Sequence, residues 1–236
     1  MKIAFTLEYN GTNFFGSQIQ TQTPNTVMGV LTNIFSQLGI TDKIIASGRT
    51  DKGVHATGQV CHLNLPSFWA DLNKLKRVTN KMLPRAIKIK KIWHVGDDFH
   101  ARYSAKRRVY RYIIKKGESN PFEDEFVTFL DNIDFKNIKQ NIKIFIGEHD
   151  FRNFVKTGSD NKTTTRMIYK AFAYKYKDYI ILNFEANGFL RSQIRMMVAA
   201  ILKLDADTIQ KHLEYEKSYK IKPAPCNGLY LAKIKY

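Results

Sequence analysis

Cysteine is almost absent: Cys61 and Cys226 are the only two in 236 residues, far apart and with no Cys-x-x-Cys pair. That spacing supports neither a disulfide framework nor a zinc site. The six histidines lack ligand spacing, and Pro225-Cys226 has no second cysteine three residues on, so the zinc deaminase signature is missing too. There is no Gly-x-x-x-x-Gly-Lys-Ser/Thr loop, no Gly-x-Gly-x-x-Gly, no His-Glu-x-x-His and no Gly-x-Ser-x-Gly. Those absences leave nucleotide hydrolysis, dinucleotide chemistry, zinc proteolysis and serine acyl transfer without support. What remains is chemistry that one carboxylate performs with no metal or cofactor. No apolar run approaches the length that spans a bilayer. The first ten residues alternate, with Ile3, Phe5, Leu7 and Tyr9 apolar, which reads as a strand and not a signal peptide. A cytoplasmic protein with no membrane partner is expected by elimination.

Acidic residues are scarce as well: 21 Asp and Glu stand against 38 Lys and Arg, a net charge of +17 with a pI near 9.8. An excess of that size points to a polyanionic partner, because each phosphate neutralised by Lys or Arg releases counterions. The 12 Tyr and 16 Phe are interleaved with the charges, as from Tyr103 to Tyr112, and aromatic faces stack on unpaired bases. With 44% hydrophobic residues the chain can bury a substantial core.

The apolar spacing predicts the elements. After the first strand comes a turn-rich loop from Glu8 to Gly16. Thr26 then caps a helix with Val27, Val30, Leu31, Ile34 and Leu38 on one face, closed by Gly39. A short strand at Ile44 and Ile45, a strand with Gln59, Cys61, Leu63 and Leu65 on one face, a helix from Leu72 to Met82 stopped by Pro84, and a strand from Ile87 to Val95 complete a β-α-β-β-α-β order. The second half is expected to repeat it: a strand over Val109 to Ile114, a helix from Phe135 to Phe145, a hairpin of Arg166 to Tyr176 and Tyr179 to Ala186, helices over Phe189 to Leu202 and Asp207 to Glu216, and a closing strand from Leu229. The expected class is therefore α+β: two ferredoxin-like, split β-α-β halves, residues 1–105 and 106–236, with antiparallel sheets backed by helices and an active-site cleft between them.

Chemistry concentrates in Ser47-Gly48-Arg49-Thr50-Asp51-Lys52-Gly53-Val54-His55-Ala56. Two glycines five positions apart suggest a sharp bend or a close approach to a ligand, and Asp51 is the only carboxylate between Asp42 and Asp71. Positive neighbours favour the charged form of a carboxylate, which suits a nucleophile better than a proton donor. The alternative for Asp51 is a residue that caps its own turn.

The run Gly48 to Ala56 followed by Gly58-Gln59-Val60 resembles the signature of the TruA family of tRNA pseudouridine synthases. Further blocks follow in the family's order: Tyr9-Asn10-Gly11, Phe15-Gly16 and Gln18, Thr26-Val27, Asn80 with Leu83-Pro84, Phe99 to Ala105, Arg108 to Tyr112, Gly147 to Phe151 with Phe154, Phe189-Leu190 with Arg195, and Gly228 to Leu231. They cover essentially the whole chain. The resemblance implies isomerisation of uridine to pseudouridine at positions 38, 39 and 40 of the tRNA anticodon stem-loop, without a cofactor, by a homodimer. It implies that Asp51 is the nucleophile, that Arg195 pairs with it, and that Tyr110 packs on the uracil. Arg49, Lys52, His55, Gln59, Arg102, Arg108 and Arg111 are the further candidates for substrate binding, the arginines and Lys52 as phosphate contacts. The chain departs from the family pattern at Ser17, where the family usually has Trp, and at Gln193-Ile194, where it has Met-Val. Two competing readings stay open: an RNA-binding protein in which Asp51 is only a turn residue, and a small-nucleotide enzyme using Asp51 as a base.

Overall fold

Alternation from Ile3 to Tyr9 produces strand β1 (Lys2–Tyr9) in a computed structural model that describes residues 1–156, 158 and 162–236. Helix α1 (Val27–Gln37) follows, its first turn capped where Thr26 Oγ1 accepts from the Gly29 amide at 3.1 Å. Then come β2 (Ile45–Ala46), β3 (His55–Asn64), α2 (Leu72–Met82) and β4 (Ile87–His94), with Asp71 capping α2 through the Lys74 amide. This is the element order expected from the sequence.

β1 lies between β3 and β4, antiparallel to both, with Phe5 opposite Cys61 on one side and Ile92 on the other. The second edge of β3 is shared: β2 runs antiparallel against Cys61 and His62, and the closing strand β10 (Leu229–Lys235) runs parallel against His55 and Ala56. One buried face was expected for β3, yet only Thr57 and Asn64 are exposed along it. The cause is a turn over the far face: His62 Nδ1 accepts from the Ala101 amide at 3.1 Å, and its ring meets Phe99 and His100 edge-on. Because its bonding partners at Tyr230 and Leu231 lie in β3, the stretch Tyr230–Tyr236 belongs with Met1–Lys106 in one compact unit, while Arg107–Leu229 forms the other.

The second unit contains β5 (Arg107–Lys116), β6 (Thr128–Leu130), α3 (Phe135–Asn141) extended by a 3-10 turn to Phe145, β7 (Gly147–Asp150), β8 (Thr165–Tyr176), β9 (Tyr179–Ala186), α4 (Gln193–Lys203) and α5 (Ala206–Leu213). β5, β9, β8 and β7 pair antiparallel in that order, and β6 runs parallel to β5. The hairpin turns at Lys177, in the left-handed region with φ of 52°, and Asp178. β6 and β7 are additional to the repeated order. α4 begins at Gln193 and not at Phe189, because Ser192 sits at φ 60° and interrupts the helical path. Within the unit Tyr112 is fully buried, its hydroxyl 2.8 Å from Thr128 Oγ1 and donating to the Pro225 carbonyl at 2.9 Å. Burial pushes that phenol well above its ordinary range. The whole is an α+β protein, and no helix among the described residues is long and apolar enough to cross a membrane.

Gly58 is required by the approach of β10: a Cβ there would stand 2.3 Å from the Ala232 carbonyl oxygen. Gly58→Ala should therefore destabilise the protein by about 2–3 kcal/mol, the cost of forcing a close-packed backbone apart, read as a fall in Tm of several degrees. A pH dependence follows from His62 and His212, whose Nδ1 atoms accept from the amides of Ala101 and Tyr219. Burial lowers both pKa values, and for His62 the charges of His100 and Lys2 lower it further. Below pH 6.5 the unfolded chain then binds more protons than the folded one, so Tm should fall between pH 7 and pH 5. The fall should flatten in His62→Asn; equal slopes in the two proteins would contradict the assignment.

Candidate active site

The loop between β2 and β3 is built as a turn with Asp51 at its head. The Val54 amide donates to the Asp51 carbonyl at 3.1 Å, closing Asp51-Lys52-Gly53-Val54, and Gly53 supplies the left-handed third position at φ 75°. Gly48 lies in a bend just after β2 but without a positive φ, and a Cβ there would meet no atom of the protein within 4 Å. Asp51 is half-buried, with Arg49 and Lys52 exposed on either side and the Lys52 ammonium 4.3 Å from the centre of the Phe15 ring. The loop thus presents one carboxylate between two solvent-facing cations.

His55 and Gln59 lie beneath it. His55 is 1% exposed, accepts from the Gly11 amide through Nδ1 at 3.0 Å, and stacks on Tyr230 with ring centres 4.7 Å apart. Gln59 is fully buried; its Oε1 accepts from the Ser47 hydroxyl at 2.5 Å and its Nε2 donates to the Gly48 carbonyl at 2.7 Å. Both side chains hold the loop and the segment beside it. That burial suits support of the site more than contact with a substrate.

On the other flank the loop is bound to residues 9–17. Ser17 Oγ accepts from the Thr50 amide at 2.8 Å, the Ser17 amide donates to the Thr50 carbonyl at 3.1 Å, and the hydroxyls of Thr50 and Tyr9 are 2.8 Å apart. Gly16 and Ser17 in turn accept from the amides of Val27 and Met28, two groups at the start of α1 that have no partner inside the helix. The sequence reading missed this strap. Its one signal was the small polar residue at Ser17 where the family pattern has a large aromatic.

In the second unit, Tyr110 is buried on β5 and meets Phe189 edge-on with centres 5.3 Å apart. Arg195 stands in the first turn of α4, where a cation opposes the helix dipole and so is a costly choice for a plain surface residue. Its Nε donates to the Ala224 carbonyl at 2.6 Å while the Ala224 amide donates back to the Arg195 carbonyl, which fixes the guanidinium. Gln193 caps the approach to this turn, accepting from the Leu190 amide at 2.8 Å. The arginines close together in sequence at 107, 108 and 111 divide. Strand alternation puts Arg108 on the face of β5 that carries Tyr110 and Tyr112, with its Nη1 bound to the Asn187 carbonyl, and puts Arg107 and Arg111 on the opposite face. Arg107 pairs with Glu185 and stacks on Tyr169, while Arg111 is exposed. Arg102 is exposed in the first unit beside the Tyr103 ring, which stacks on His100. A separate cavity of about 490 Å³ in that unit, lined by Trp93, Phe99, Ser104, Lys106 and Tyr236 among others, includes none of the candidate site residues.

Comparison with known proteins bears on the chemistry of this arrangement. A family model described as tRNA pseudouridine synthase matches residues 6–104 and 142–236, a span that takes in Asp51 and Arg195. The chain is 40% identical to the tRNA pseudouridine synthase A of Campylobacter jejuni (strain RM1221), over the full length of both. It is 36% identical to the protein of that name from Wolinella succinogenes, over 98% of this chain and 92% of the relative. Identity is also 36% with the one from Phytoplasma mali, over 98% and 96%. Among solved structures, a chain of a Cbf5-Nop10-Gar1 complex aligns with 85% of this chain and 45% of its own at a TM-score of 0.40 and 16% identity, a likeness too faint to carry weight. With a family model matched over most of its length and a relative 40% identical from end to end, the chain belongs to the tRNA pseudouridine synthase family.

Proposed function

We propose that this protein isomerises uridine to pseudouridine in tRNA with Asp51 as its nucleophile. The observation that carries the reading is the loop itself: a half-exposed carboxylate at the head of a turn, flanked by Arg49 and Lys52, within the matched span. In the reaction the bond from ribose C1′ to uracil N1 breaks, the base turns, and C1′ bonds to C5; C5 gives up its proton and N1 gains one, so product and substrate have the same atoms. Asp51 acts either by adding to uracil C6, by attacking C1′, or by stabilising the cationic C1′ after the base departs. Each route needs an ionised carboxylate at close range to a base taken out of its stack. The resemblance supports the other roles: the flat ring of Tyr110 packs on the turning uracil, and Arg195 keeps the nucleophile charged and oriented.

The same resemblance supports a target in the anticodon stem-loop, at tRNA positions 38 to 40, and a cytoplasmic homodimer. The pairing of β2, β3, β1 and β4 in that spatial order supports reading the first unit as a ferredoxin-like split β-α-β fold. The net charge of +17 and the exposed Arg49, Lys52, Arg102 and Arg111 fit a phosphate-dominated interface.

Incubated with unmodified tRNA tritiated at uracil C5, the protein should release tritium, and Asp51→Ala should cut the rate by more than about a thousandfold, as loss of a covalent nucleophile does. Mutant and parent should bind tRNA alike. Tritium release by Asp51→Ala at the parent rate would refute the nucleophile, and no release by the parent would refute the enzyme. If five or more phosphates are contacted, tRNA affinity should drop about a hundredfold or more between 50 and 200 mM salt, as filter binding would measure; a flat response would contradict that interface.

A further inference from the structure

Ser17 lies outside the reaction as drawn, is 1% exposed, and marks a departure from the family pattern, yet its hydroxyl and amide both bond to the residue before Asp51. The placement of those bonds matters. The Thr50 carbonyl belongs to the peptide group joining Thr50 to Asp51, and the Ser17 amide fixes its plane. The Asp51 carbonyl belongs to the next peptide group, and the Val54 amide fixes that one. With the peptide planes on both sides held, the φ and ψ of Asp51 are set, and so is the direction of its Cα–Cβ bond. The carboxylate keeps only its side-chain torsions. The bond from the Thr50 amide to Ser17 Oγ, and that between the hydroxyls of Thr50 and Tyr9, stop Thr50 from turning out of this arrangement.

We propose that Ser17 is a positioning residue for Asp51: through Thr50 it aims the carboxylate, and it contacts no substrate itself. The inference rests on the reading of Asp51 as nucleophile. In Ser17→Ala the buried Thr50 amide loses its acceptor, and the loop must shift to regain one. Misplacement of a reacting group by about an ångström costs up to about a hundredfold in rate, whereas the tRNA surface is untouched.

The test measures single-turnover rate, kcat and KM by tritium release, with Tm alongside, for Ser17→Ala, Ser17→Thr, Ser17→Cys and Asp51→Asn. Ser17→Ala should lose about tenfold or more in kcat and in the single-turnover rate with KM for tRNA within about twofold, at temperatures well below its Tm. Ser17→Thr, which keeps the oxygen acceptor, should recover most of the rate. A role limited to stability would lower Tm and leave the rate of the folded enzyme alone. Wild-type turnover in Ser17→Ala, or an equal loss in Ser17→Thr with its fold intact, would overturn the proposal while an inactive Asp51→Asn upheld the nucleophile. Should Ser17→Ala fail to fold, Ser17→Cys decides on the same criterion, since it keeps the size of the side chain and replaces the hydroxyl with a weak acceptor. Activity in Asp51→Asn would instead bring down the nucleophile, and this inference with it.

Discussion

Both edges of β3 are paired, and the geometry of the site depends on that saturation. A strand bonded to β1 on one side and to β2 and β10 on the other can neither slip by a residue nor peel from the sheet without breaking ladders on both edges. The Asp51 turn leads straight into its first residue, His55. The loop therefore starts from a fixed point, and its remaining freedom is taken up by short bonds: Gln59 under Gly48, Gly11 on His55, and Ser17 on Thr50. Loops carry chemistry well when a rigid scaffold holds their ends. Here the scaffold also holds the middle.

Much of this was legible in the residues. Thr26 and Gly39 bracket α1, and Lys177-Asp178 turns the β8–β9 hairpin, because capping and turn chemistry are local and written in one or two side chains. The carboxylate loop was legible for the same reason. What could not be read is non-local. The burial of both faces of β3 depends on a turn near Ala101, some forty residues away, and the membership of β10 in the first unit depends on a pairing with residues far back in the chain. The late start of α4 comes from a left-handed serine, which no propensity scale favours.

The arginines show how one-dimensional proximity misleads. Arg107, Arg108 and Arg111 look like a cluster in sequence, but a strand sends alternate side chains to opposite faces, so Arg108 stays with Tyr110 while its neighbours do not. The two departures from the family pattern carry a related lesson. Ser17 and Gln193 each accept a backbone hydrogen bond a few residues from a group proposed for the reaction, one beside Asp51 and one ahead of Arg195.

The membership of β10 in the first unit also sets a clock. On the ribosome β1 to β4 emerge first, but the partner that covers β3 at His55 and Ala56 is made only after the whole stretch from Arg107 to Leu229. At synthesis rates of roughly 5–20 residues per second that interval is on the order of ten seconds. Throughout it the edge of β3 beside the Asp51 loop is uncovered, and His55 has no Tyr230 to stack on. A nascent chain therefore carries the sequence of the Asp51 loop long before it carries its geometry, and β10, made well after that loop, completes its support.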